Sequence, residues 1–104
     1  MSGDRRLAEI RTSAGSIYFY THNTGDMMEY DAEVALKMAE PRMNDEPYAL
    51  RRIIDYLIRA SGSRDNEVGS GIMLYPLATI AEDYYGGDPA SVLIDLVNWE
   101  VIVT

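Results

Sequence analysis

Apolar and polar residues alternate along residues 16–22, and this period of two predicts an extended strand. One side of the strand is apolar and suits a hydrophobic core. The opposite side carries two phenols and the only histidine of the chain, which indicates a binding surface if nothing covers it. The residues on that side are Tyr18, Tyr20 and His22.

A period of 3.6 residues predicts a first helix over residues 32–40. Asp31 is its expected N-cap, because a carboxylate accepts hydrogen bonds from the free N–H groups of a first helical turn. Pro41 is expected to end the helix. The positions expected on its buried face are Val34, Ala35 and Met38.

A second helix is predicted over residues 46–60, and it has the clearest pattern in the sequence. Asp45 is the expected N-cap, Pro47 is tolerated in the first turn, and Gly62 is the expected stop. The apolar positions follow the spacing i, i+3, i+4, i+7 and i+8, which predicts a continuous buried stripe. These positions are Leu50, Ile53, Ile54, Leu57 and Ile58.

The remaining apolar runs predict four further strands. Residues 7–11 should pair with the alternating strand through a turn in which Gly15 takes a positive φ. Residues 72–75 should form one strand, and residues 92–96 and 99–103 should form a closing hairpin. The segment 61–71 is expected to be an exposed loop, and residues 77–85 fit either a short helix or a loop. A turn is expected at 86–89.

This order, β-β-α-α-β-β-β, predicts an α+β fold of two layers, with both helices on one face of an antiparallel five-stranded sheet. The second sheet face would hold apolar and aromatic residues among polar ones. Exposed apolar area of this kind is typical of contact sites, so we expect a homo-oligomer, most simply a dimer. The residues of that face are Tyr18, Tyr20, His22, Met73, Tyr75, Leu93, Asp95, Glu100 and Ile102.

The length of 104 residues predicts a single domain over residues 1–104. No apolar run approaches the roughly 20 residues that span a bilayer, and no hydrophobic segment follows the charges of the first residues. We therefore expect no membrane association and a cytoplasmic location. The absence of cysteine excludes disulfides and thiolate metal sites, which is consistent with that compartment.

A net charge of −8 disfavours direct binding to nucleic acid, whose phosphates require a basic face. Eight of the nine basic residues are nevertheless arginine, whose planar fork binds phosphates and carboxylates through two hydrogen bonds. Arg42, Tyr48 and Arg52 form a candidate ligand-binding set, because positions 48 and 52 are neighbours on one helix face. Ion pairing of Arg51 and Arg59 with Asp55 on a solvated helix face is the simpler interpretation.

The residues around the single histidine do not predict a metal site or an enzyme. His22 is followed by Asp26, Glu29 and Asp31, but zinc normally has three or four nitrogen or sulfur ligands, and the calcium-loop spacing is missing. The sequence shows no activated nucleophile and no phosphate-binding loop. We therefore expect no catalytic residues, no metal and no cofactor, while a small hydrolase that uses His22 is the least favoured alternative.

Five segments of the chain share their residues and their order with known proteins: 18–22, 42–45 with 48, 52–54, 67–72 and 92–96. In these segments the chain resembles a family of short, largely uncharacterised proteins of bacteriophages and prophages. The resemblance runs in order from Ile17 onward, although relatives carry tryptophan near Asn23 and at Met43. It implies an accessory protein that disarms a host defence by binding a protein or a signalling nucleotide.

These observations favour a non-catalytic phage-type accessory protein that binds or sequesters a nucleotide-like or other anionic small ligand. Arginine would hold the phosphate and tyrosine would stack on the base. The expected ligand-binding residues are Tyr18, Tyr20, His22, Arg42, Tyr48 and Arg52. The alternative is an acidic inhibitor of a host defence protein that mimics nucleic acid, although the acids are interleaved with arginines along the chain.

Overall fold

The computed structural model of the protein describes residues 6–21, 27–64, 70–74 and 91–103. In these ranges the chain forms two helices and a five-stranded sheet, which confirms the mixed α+β content. Several expectations lie outside the described residues: His22, Tyr75, the break at 23–26, the segment 77–85 and the turn at 86–89. The elements are β1 (Arg6–Thr12), β2 (Gly15–Thr21), α1 (Met28–Ala39), α2 (Glu46–Arg64), β3 (Ser70–Met73), β4 (Ser91–Asp95) and β5 (Glu100–Val103).

The sheet is mixed, so the expectation of a purely antiparallel sheet was wrong. The strand order is β3-β2-β1-β4-β5, and the central pair, β1 and β4, runs parallel. The three other pairs are antiparallel. A parallel pair is suited to a covered position, and the inward-facing residues of both central strands are fully buried. They are Ala8, Ile10, Val92 and Ile94.

The turn of the first hairpin has the predicted chemistry, and the turn of the closing hairpin differs from the prediction. Gly15 has φ 133°, a backbone conformation that side chains rarely adopt, and the Thr12 hydroxyl donates to its carbonyl oxygen at 2.7 Å. Between β4 and β5 the turn covers residues 96–99 and is wider than expected. Asp95 orders this turn, because its carboxylate accepts hydrogen bonds from the backbone N–H groups of Val97 and Asn98 at 2.8 and 3.1 Å.

Helix α1 starts earlier than expected. It begins at Met28, and its N-cap residue Met27 makes no side-chain capping hydrogen bond. Asp31, the expected cap, lies inside the helix and is only 5% exposed. The buried side chain of Met28 explains the difference, because packing of an apolar first turn outweighs a polar start signal.

The buried face of α1 is also rotated from the expected one. Val34 is half-buried and Met38 is 44% exposed, whereas the positions facing the core are dominated by alanine. Small side chains let a helix approach its neighbours closely, and α1 lies against α2, β1, β4 and β5. The buried residues of α1 are Met28, Asp31, Ala32, Ala35, Leu36 and Ala39.

Helix α2 is longer than predicted and continues through Gly62 to Arg64. Gly62 was therefore wrongly assigned as the stop, and residues 61–64 are helical, not part of a loop. The buried line runs through Ala49, Ile53 and Leu57, which are separated by four residues each. Leu50 and Ile54 flank this line and pack against the core, but Ile58 is 44% exposed, so its predicted burial was wrong.

A contact between distant segments fixes the beginning of α2. The carbonyl of Asp45 accepts from the Ala49 N–H at 2.9 Å, so Asp45 holds the capping position in the backbone pattern. The carboxylate of Glu46 accepts from the backbone N–H and the hydroxyl of Ser13, at 2.8 and 2.7 Å. These two bonds attach the β1–β2 turn to the first turn of α2, and they lower the pKa of Glu46.

The sheet face opposite the helices is partly buried. Tyr20 pairs in register with Leu7, and both are about as buried as core residues, at 6% exposure each. Tyr18 lies between Glu9 and Met73 in register, and Ile102 is 39% exposed. Neither described helix is long and apolar enough to cross a membrane.

Candidate functional site: an arginine-lined groove on α2

A groove of about 400 Å³ runs along the outer face of α2. It begins beside the end of α1 and the short 3-10 helix Glu40–Arg42, and it follows α2 away from its first turn. Its walls come from three consecutive elements of the helical layer. The lining residues are Met38, Arg42, Tyr48, Arg51, Arg52, Asp55 and Arg59.

The helical period explains why these side chains meet. The groove positions on α2 are 48, 51, 52, 55 and 59, spaced i, i+3, i+4, i+7 and i+11, so they fall on one face. This face lies away from the buried line through Ala49, Ile53 and Leu57. After α1 ends at Ala39, the 3-10 helix Glu40–Arg42 brings Arg42 back toward α2. One polar helix face and one returning turn therefore form the site.

Arg42 and Tyr48 are in contact at the end of the groove that lies nearest the first turn of α2. The guanidinium carbon of Arg42 lies 4.5 Å from the centroid of the Tyr48 ring, which is a cation–π contact. A contact of this kind uses no N–H group of the guanidinium as a hydrogen-bond donor to an acceptor oxygen, so these groups remain able to donate to a ligand. The contact therefore orients a charged fork beside the groove.

Arg51 and Arg52 extend the positive surface from this pair. Arg52 donates from Nη1 to the backbone carbonyl oxygen of Met38, at 3.3 Å. Within the described ranges, Arg42, Arg51 and Arg52 make no ion pair with a carboxylate. Their charges are therefore not neutralised by the neighbouring residues that the structure describes.

Asp55 and Arg59 occupy the far end of the groove. Arg59 Nη2 lies 3.5 Å from Asp55 Oδ2, so the predicted ion pair between these two residues is present. The second predicted pair, between Arg51 and Asp55, does not form. Both side chains of the existing pair are more than half exposed, so water screens their attraction and the pair adds little stability.

The electrostatic character of the groove differs from that of the whole protein. Four guanidinium groups and one carboxylate line it, in a chain whose net charge is −8. Several arginines close together repel one another, and a bound anion relieves this repulsion, so such a cluster is typical of an anion-binding site. The groove also offers Tyr48 and the thioether of Met38 as apolar surface, so it suits an anion that carries a flat or apolar part.

The six residues predicted for the site do not form one cluster. Arg42, Tyr48 and Arg52 line the groove together. Tyr18 and Tyr20 belong to β2 and lie on the sheet face opposite the helices, while His22 is outside the described residues. The structure therefore separates the predicted tyrosine row from the predicted arginine set.

Tyr18 belongs to a polar group on that opposite sheet face. Burial raises the pKa of Tyr18, and the negative charge of Glu9 raises it further, whereas Arg11 lowers it. Glu9 in turn accepts a hydrogen bond from the Ser16 hydroxyl at 2.8 Å. The phenol therefore lies among strand neighbours and does not line the groove.

Sequence reasoning placed Arg51, Asp55 and Arg59 in an ordinary solvated helix face. Their spacing from Tyr48 is a signal that would have included them, because positions i+3, i+7 and i+11 share its face. Met38 was assigned to the buried side of α1, so its place in the groove was missed. Across the described part of the chain, no group of three or more acidic residues, histidines or cysteines is arranged to hold a metal ion.

The comparisons with protein-family models, with curated proteins and with solved structures find no match to this chain.

Proposed function

We propose that this protein binds a small anionic, nucleotide-like ligand in the arginine-lined groove and performs no chemistry on it. The observation that carries the proposal is the grouping of four arginines and one tyrosine around a single groove of a strongly acidic protein. Bidentate arginine would hold a phosphate, and the exposed side of the Tyr48 ring would receive a base.

The contacts that the groove offers set the affinity that we expect for such a ligand. A hydrogen bond to a charged group contributes about 1.5–3 kcal/mol, and a base stacked on an aromatic ring contributes about 1–3 kcal/mol. Two arginine contacts and one stacking contact sum to about 4–9 kcal/mol, which leaves a dissociation constant in the high-micromolar to millimolar range once an ordering cost of about 4 kcal/mol or more is subtracted. Sequestration of a host signalling nucleotide would then suit the accessory role that the bacteriophage resemblance implies.

Titration calorimetry tests the proposal directly. The ligands are inorganic phosphate, nucleoside mono-, di- and triphosphates, and cyclic mono- and dinucleotides. Arg52→Ala is expected to weaken binding of the best ligand about 10- to 100-fold, because it removes one charge-assisted contact. Tyr48→Ala should also weaken binding, by removing both the stacking surface and the support of Arg42.

The matched control is Lys37→Ala. Lys37 is exposed on α1 and does not line the groove, so this variant loses the same charge at another place. It should bind as the unchanged protein does. Equal weakening by Lys37→Ala and Arg52→Ala, or no heat with any anion, would overturn the proposal. Conversion of any ligand to product would overturn the statement that no chemistry occurs.

A further inference from the structure

Asp55 is the one acidic residue among those that line the groove. It lies four residues after Arg51 and four residues before Arg59, at the centre of the groove face of α2. Its carboxylate faces Arg59 at 3.5 Å and forms no ion pair with Arg51. Because the side chain is 54% exposed, its carboxylate is open to a molecule that enters the groove.

This position divides the groove into two unequal parts. An α-helix rises about 1.5 Å per residue, so Asp55 lies about 6 Å along the axis from Arg51, about 4.5 Å from Arg52 and about 6 Å from Arg59. On the first side stand three arginines without carboxylate partners and the Tyr48 ring. On the second side, the single arginine is already paired with Asp55. Positive charge is therefore concentrated at one end.

We infer that Asp55 determines which class of anion the groove accepts, an inference that rests on the proposed function. The accepted class is a compact ribonucleotide with one phosphate end, such as a nucleoside monophosphate. Its phosphate occupies the three-arginine end, and its ribose hydroxyls donate to Asp55. An ionised carboxylate can only accept hydrogen bonds, and acidic side chains bind ribose hydroxyls in this manner in dinucleotide sites.

The same carboxylate weakens the binding of extended polyanions. A polyphosphate or a nucleic-acid strand that follows the groove must place a phosphate beside Asp55, where two negative charges repel each other. A ligand with a hydroxyl group at that point gains a hydrogen bond instead. Asp55 thus favours ribonucleotides over extended polyanions.

The test compares Asp55→Asn with Glu33→Gln. Each substitution keeps the side-chain size and removes one negative charge, but Glu33 is exposed on α1 and does not line the groove. The probes are adenosine 5′-monophosphate, its 2′,3′-dideoxy analogue and long-chain inorganic polyphosphate. Affinities are measured by titration calorimetry at one fixed salt concentration, since exposed charges are screened by salt.

In the unchanged protein, the dideoxy analogue should bind about tenfold or more weakly than the ribonucleotide, because one charge-assisted hydrogen bond is lost. Asp55→Asn should remove most of this discrimination. It should also strengthen polyphosphate binding about five- to tenfold, while Glu33→Gln changes it little.

Two results would overturn the inference while leaving anion binding intact. The first is an equal gain in polyphosphate affinity in both variants, which would show a general charge effect. The second is an unchanged preference for ribose in Asp55→Asn. Failure of the unchanged protein to bind either phosphate ligand would instead overturn the proposed function, and this inference with it.

Discussion

Two neighbouring residues of α2, Leu57 and Ile58, provide the sharpest test of how this helix packs. The apolar period of the sequence assigns both to the buried stripe. In the structure Leu57 is 2% exposed and belongs to the core, whereas Ile58 is 44% exposed. Truncation of each residue to alanine removes three carbon atoms, so the chemistry of the change is matched and only the environment differs.

The expected magnitudes follow from these exposures. At about 0.8 kcal/mol for each buried carbon, Leu57→Ala loses about 2.4 kcal/mol of transfer free energy. The cavity left among rigid neighbours brings the total cost into the range of about 2–5 kcal/mol. For Ile58→Ala roughly half of the transfer term applies, and alanine regains about 0.4 kcal/mol of helix propensity, which leaves a cost of about 1 kcal/mol.

Urea unfolding at equilibrium measures both costs. Trp99 is the only tryptophan and packs half-buried against the core, so its fluorescence reports loss of tertiary structure. Far-UV circular dichroism follows the helices in the same samples. Equal denaturant slopes would show that each variant unfolds from the same compact state. Equal destabilisation by the two variants, or a loss below about 1 kcal/mol for Leu57→Ala, would refute the packing of α2 described above.

Three further expectations concern pH, a long-range contact and assembly. Burial of Asp95 opposes its ionisation, but hydrogen bonds from Asn98 and from the Val97 N–H, with the charge of Arg11, outweigh it and lower its pKa. The stability from this carboxylate is therefore complete above the unfolded-state pKa near 4 and is lost as pH falls through the lower folded-state pKa. Asp95→Asn should flatten the acid side of a profile of melting temperature against pH. An unchanged profile would contradict this role of Asp95. Glu46→Gln should lower the melting temperature, and the same substitution should lower it less in a protein that already carries Ser13→Ala, because the hydrogen-bond partner is then absent. Additive decreases in melting temperature would mean that the two residues are not coupled. If the sheet face opposite the helices joins two copies, light scattering should give about twice 11.7 kDa and Ile102→Glu should reduce it, while a monomer at tens of micromolar would refute the dimer.

The elements of the fold were largely predictable because their signals are local. A run of apolar residues at helical spacing gives α2 its core, and Gly15 gives the first hairpin its turn. Helix ends were less predictable, since α1 begins at Met28 without a side-chain cap and α2 continues through Gly62. Tertiary packing supplies the free energy that overrides weak local stop and start signals, such as the roughly 1 kcal/mol cost of a glycine in a helix.

The candidate site was predictable only in part. The relation between Tyr48 and Arg52 follows from helical spacing alone. Arg42 contacts the Tyr48 ring only because the chain turns back after α1, and sequence spacing does not specify this turn. The tyrosine row of β2 was grouped with these residues on composition, although the helical layer and the opposite sheet face hold them apart.

The sequence by itself determined most of the local conformations: which segments contain the two helices and the strands, where the first hairpin turns and which helix face is rich in arginine. Only the tertiary structure decided that β1 and β4 run parallel at the centre of the sheet, that Ile58 faces outward, and that one groove collects four arginines. The physical reason is that periodicity encodes the environment of neighbouring residues, whereas the pairing of β1 with β4 and the approach of Arg42 to α2 depend on the packing of the whole core.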